Sequence, residues 1–106
     1  MSGPLSALGD RIARVSDIYA RNYGIDRSGD WHLLKLQEEM GELTQAYLDA
    51  TGRSRRPADD EARAALAREM ADTLGMLLLL ARSEGVDLDT AVQEKWLSWL
   101  DKPVSA

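Results

Sequence analysis

The apolar residues Met76-Leu77-Leu78-Leu79-Leu80-Ala81 sit in a segment that can run as one helix from Asp59 or Asp60 to Glu84, with Gly85 behind it as a stop. For nearly two turns this helix has no polar side, and a helix that is apolar all round must be covered all round. Three short partners from a chain of 106 residues cover it poorly. The run therefore predicts that a second copy of the chain packs against it, in a bundle whose core is shared between subunits. The alternative is a monomer whose first helix turns its own apolar stripe onto this segment.

The rest of the chain is helical by the same spacing. Leu5, Leu8, Ile12, Val15 and Tyr19 recur at three- and four-residue steps, with Pro4 suited to a first turn and Gly24 to a C-terminal cap. After a polar turn, Asp30 can cap a second helix that carries Leu33, Leu36, Met40, Leu43 and Tyr47 on one stripe as far as Gly52. A basic loop with Arg53, Arg55 and Arg56 separates it from the third. The fourth is expected from about Leu88 to Leu100, capped by Asp87 and stopped near Pro103. No strand alternation, repeat or low-complexity segment competes, so the expectation is a single all-α domain over residues 1–106, with four helices per chain contributing to an oligomeric four-helix-bundle core.

Composition removes several kinds of chemistry. A formal net charge of −5 offers no basic face for a polynucleotide backbone. The absence of cysteine excludes disulfides, thiolate ligands and a thiol nucleophile. The apolar run is far shorter than the roughly 20 residues of a membrane span, and the N-terminus has no signal-like segment, so a soluble cytoplasmic protein is the expectation.

Carboxylates are where the sequence becomes specific. Residues three apart on a helix lie one turn apart on nearly the same face, so Glu39 with Glu42, and Glu69 with Asp72, each form a claw. Stepping about 100° per residue, Glu39 falls at the border of the apolar stripe, Glu42 lies beyond it, and Glu38 points the other way. Glu69 and Asp72 share a face that continues as Met76 and Leu79, so at least partial desolvation is expected. An isolated helical glutamate is ordinarily solvated. Several on the inward edges of two helices repel one another unless a cation neutralises them, and an all-oxygen set completed by water and phosphate oxygens suits Mg²⁺, with Mn²⁺ as a substitute. The lone His32, near a helix start, is expected at the surface or in a cap, and no E-x-x-H element of a di-iron bundle is present.

The segments KLQEEMGELTQAYL, Lys35 to Leu48, and EMADTLGMLLLLA, Glu69 to Ala81, resemble the E-E-x-x-E and E-x-x-D signature of the MazG-like all-α nucleotide pyrophosphohydrolases. That superfamily also holds the dimeric dUTPases and phosphoribosyl-ATP pyrophosphatase. The resemblance implies Mg²⁺ ligation by Glu39, Glu42, Glu69 and Asp72, with Glu38 or Glu39 as general base. It implies cleavage of a nucleoside triphosphate between the α- and β-phosphates, and a homodimer or a tetramer of paired dimers. Lys35, one turn before Glu39, and Lys95, similar to a basic position that family members carry on the final helix, are candidates for phosphate contact. Each reads equally well as an exposed lysine. Where many members have an asparagine shortly before that final basic residue, this chain has Gln93-Glu94-Lys95-Trp96. Trp31 is a candidate to stack on a base, against the commoner use of tryptophan in a core. The basic loop reads mainly as solvated, and Trp96 and Trp99 as core.

Three functional readings remain open on the sequence: a housekeeping enzyme on standard or damaged nucleoside triphosphates, phosphoribosyl-ATP pyrophosphohydrolase, and a non-catalytic helical dimerisation module. The first two share the metal site and differ in the cavity wall. The third would lose nothing if Glu39 and Asp72 became alanine.

Overall fold

The structure is a computed structural model that describes residues 3–102. Four α-helices follow in order, α1 (Pro4–Tyr23), α2 (Trp31–Ala50), α3 (Asp60–Ser83) and α4 (Leu88–Lys95), and a short 3₁₀ helix (Leu97–Asp101) ends the described chain. There is no β-strand among the described residues.

The helix ends follow from local chemistry at most boundaries. Gly24, at φ 62°, takes the left-handed conformation that closes α1, its N–H donating to the Ala20 carbonyl. The Asp59 side chain accepts from Ala62 N at 2.9 Å to start α3, and Asp87 accepts from Thr90 N at 3.2 Å to start α4. Two boundaries depart from expectation. Asp30 occupies the N-cap position of α2 but its side chain makes no cap hydrogen bond. Its backbone, at ψ 12°, enters the helix from a turn in which Trp31 N donates to Ser28 O, so the carboxylate is not turned over the first N–H groups. The fourth helix ends at Lys95 instead of continuing to Leu100, because the chain tightens at Trp96 into i→i+3 bonds, with Trp99 N donating to Trp96 O.

The α2–α3 pair, joined by a short loop, packs antiparallel along its length, while α1 lies on α3 and α4 lies on α1. The connection after α1 doubles back, because Arg27 reaches Asp17 at 2.9 Å and Ser16 Oγ at 3.0 Å. The residues fully buried on α1 are small ones, Gly9, Ala13 and Ala20. Gly9 comes so close to α3 that a Cβ there would stand 3.8 Å from Leu78 Cβ. Of the bulky stripe, Leu5 and Ile12 are half-buried against α3, while Val15 is 67% exposed and Tyr19 half exposed. In the apolar run of α3, Leu78, Leu79 and Ala81 are buried but Leu77 is not.

A cavity of about 140 Å³, lined by Leu5, Gly9, Leu78, Val86 and Leu88 among others, marks the seam of α1, the end of α3 and the start of α4. It is apolar and includes none of the clustered carboxylates.

Candidate metal centre

Packing α2 against α3 brings the two acidic claws together about midway along the pair. Glu39, Glu69 and Asp72 each offer a carboxylate oxygen, and these atoms lie within 4.8 Å of one another. Glu39 is buried, Glu69 half-buried and Asp72 exposed, so the cluster opens to solvent from the side of Asp72. Desolvation therefore falls on Glu39 and Glu69; Asp72, expected to share it with Glu69, is exposed, as is Glu42.

Glu42 stands beside Glu39 but outside the group of three. Three residues on from Glu39, it is rotated about 60° away around the helix, which carries it off the surface facing α3. It nevertheless acts on Glu39. Burial pushes the Glu39 carboxyl up to about 7, helped by its hydrogen bond to Glu42 and by the charges of Glu42 and Asp72, while Lys35 opposes the shift.

One oxygen of Glu39 and one of Glu69, Oε2 in both, are enclosed without any hydrogen-bond donor. An enclosed carboxylate oxygen left unpaired costs more than the ~1–3 kcal/mol of a neutral polar group. Such an arrangement persists when protonation or a cation satisfies it. The donor set is all oxygen, with no imidazole or thiolate among its members, which fits a hard divalent ion of the Mg²⁺ type.

The other expected residues divide between near and far. The Lys35 ammonium lies 3.2 Å from Glu38 Oε1 and 3.9 Å from Glu39 Oε1, so it bridges the exposed Glu38 and the buried ligand candidate. Trp31 is half-buried at the start of α2, edge-on to His32 with ring centroids 5.1 Å apart. It lies eight residues before Glu39, about 12 Å along the helix. His32 is half-buried and no ligand to the cluster; burial lowers its pKa. Lys95 is exposed at the end of α4, whose substantial neighbours are α1 and the 3₁₀ helix. The structure does not bring it to the cluster.

One buried acid escaped the sequence reading. Asp49 accepts from Gln45 Nε2 at 3.0 Å and faces Arg56 at 4.0 Å, and Ser54, Gln45 and Arg56 together hold its carboxyl below the usual range. It ties the basic loop to α2. The signal was the i,i+4 pair of Gln45 and Asp49 just ahead of that loop.

An antiparallel helix pair that gathers carboxylates from both members around unsatisfied oxygens is an all-α scaffold able to hold a hard divalent cation. The sequence family described as phosphoribosyl-ATP pyrophosphohydrolase matches residues 8–95, and the chain belongs to that family. It is accordingly a pyrophosphohydrolase acting on a nucleotide, and the MazG-like resemblance holds over nearly the whole chain. No curated protein and no solved structure gives a significant match. No helix among the described residues is long and apolar enough to cross a membrane.

Proposed function

We propose that the chain hydrolyses a nucleoside triphosphate at the α–β anhydride, releasing the monophosphate and pyrophosphate, with Mg²⁺ held by Glu39, Glu42, Glu69 and Asp72. The observation that carries this reading is the convergence of three carboxylates around two enclosed oxygens that have no donor. When bound, a divalent cation supplies charge neutralisation for the phosphate chain and lowers the pKa of a coordinated water.

The protein's own side chains divide the remaining work. Glu39 and Glu69, fixed by burial, set the geometry of the site, while Asp72 and Glu42 sit on its open side where substrate enters. Glu38 is the better candidate for general base. It is exposed, it is free of the cluster, and Lys35 holds it on the side of Glu39. The same ammonium provides positive charge next to the site for an anionic substrate, whereas a phosphate role for Lys95 rests on the family resemblance alone. Trp31 is offered as a wall for the base two turns away.

The main substrate reading is a standard or damaged nucleoside triphosphate. The matched family's own description favours a second one, phosphoribosyl-ATP, which presents the same triphosphate to the same carboxylates. The active form is a homodimer, or paired dimers. The accessible surface of 8059 Å² for an 11.7 kDa chain exceeds the roughly 5,900 Å² of a compact monomer by about the amount each partner of an obligate dimer buries.

Purified protein with Mg²⁺ should convert one or more members of a panel of nucleoside triphosphates and phosphoribosyl-ATP into monophosphate plus pyrophosphate. Diphosphate plus phosphate would move the cut to another bond. Glu42→Ala should lower kcat/KM by at least about 100-fold, in the range seen when a metal site is damaged. A variant that binds Mg²⁺ and turns over normally removes Glu42 from the ligand set.

A further inference from the structure

We infer that Trp96, Trp99 and Leu100 form a C-terminal arm that docks on a second copy of this chain. These residues are 70%, 66% and 81% exposed, large apolar groups gathered at one end of the described chain. The 3₁₀ helix that carries them has α4 as its only substantial neighbour. Lys95, Trp96 and Trp99 line a shallow cleft, and the Lys102 ammonium sits 4.0 Å from the Trp99 ring centroid, so one face of that indole is already occupied. The sequence reading placed both tryptophans in a core, and within one chain neither belongs to one.

The occupant follows from area and charge. The chain carries roughly 2,000 Å² of surface beyond that of a compact monomer, the deficit that a second copy supplies. The arm extends this unburied apolar surface beyond α4. A membrane fits poorly, because the five-residue 3₁₀ helix is too short to lie in an interface and the charges around it, Lys95, Asp101 and Lys102, are of both signs. Buried tryptophan anchors are what concentrate binding energy in an interface. The arm lies past residue 95, where the family match stops.

The inference rests on the self-association proposed above and is tested separately from it. In full-length Trp31→Phe protein, Trp96 and Trp99 are the only tryptophans, excited at the red edge where the tyrosines do not absorb. Their emission and acrylamide quenching are read across a dilution series beside the sedimentation mass. Docking predicts short-wavelength emission and quenching at least about threefold weaker than free tryptophan amide while the protein is associated, both lost as the mass falls to one chain. Trp99→Ala combined with Leu100→Ala should raise the dimer dissociation constant at least about tenfold. A dimer with freely quenched tryptophans overturns the arm and leaves the dimer standing. A single-chain mass at every concentration overturns both, and protection that persists after the mass has fallen to one chain overturns the arm alone. Protection that appears only with vesicles of phosphatidylcholine and phosphatidylserine also overturns it.

Discussion

The carboxyl of Glu39 gives up its proton near pH 7 in the folded chain, against an ordinary value of 4.5, chiefly because it is buried beside Glu42 and Asp72. Between those two values the native state holds a proton that the unfolded state has released, so stability falls as pH rises through the window. The loss is on the order of 3 kcal/mol at most, from 1.36 kcal/mol per unit. His32, whose pKa is lowered by burial, acts in the opposite sense over part of the same range, so the informative quantity is the difference between two proteins that share it. With chelator present, urea unfolding should show wild type losing stability from pH 4.5 to 8. Glu39→Gln should lose less and be the more stable of the two at pH 8. Added Mg²⁺ should stabilise wild type at pH 8 and leave the variant unchanged. Equal pH slopes in the two proteins would show that Glu39 does not carry the enclosed charge.

Asp89, on α4, performs at the level of elements what α1 lacks in its own sequence. Gly3 at the N-cap of α1 has no side chain to offer, and Asp89 accepts from Leu5 N and Ser6 N, both at 2.9 Å, capping α1 from another helix. The Leu5 and Ser6 N–H groups hold its pKa below the ordinary 3.8, so this contribution is complete above that value and is lost as pH falls through the depressed one. Asp89→Ala should lower Tm by several degrees at neutral pH. Gly3→Ala should have a similar effect, because the added methyl falls on the Asp89 carboxylate, and combining the two should cost little more than either. Additive losses in that double variant would separate the residues. None of this was legible in the sequence, where 84 positions separate donor and acceptor. Apolar periodicity and local caps located α1 to α3, and the claws of Glu39 and of Glu69 with Asp72 followed once α2 and α3 were placed side by side. Periodicity failed at Trp96, where no glycine or proline announces the 3₁₀ turn. It was incomplete on α1, where spacing counted bulky residues and missed the small ones, Gly9 and Ala13, that are buried and permit close approach.

The molecule is extended, with a radius of gyration of 17.0 Å where a compact chain of this length has about 13 Å, and no large side chain among the described residues is fully buried. Exposed apolar residues fall on helical stripes: Leu8 and Val15 on α1, Leu33, Met40 and Tyr47 on α2, and Met70, Leu74 and Leu77 on α3. Spacings of seven, or of four and three, are those of a seam between helices, and here the seam faces solvent. In the proposed homodimer this surface becomes core, so stability should depend on concentration. Over about a hundredfold dilution Tm should fall by several degrees while the sedimentation mass falls toward one chain. Leu74→Asp places a charge in the middle of the α3 stripe, away from the carboxylate cluster, and desolvating it at an interface is costly. That variant should sediment as a single chain at concentrations where wild type is associated. Its Tm should be lower and independent of dilution, because no partner is left to lose. Wild type that sediments as one chain and melts at the same temperature throughout the dilution would mean that the exposed seams are not an interface between copies.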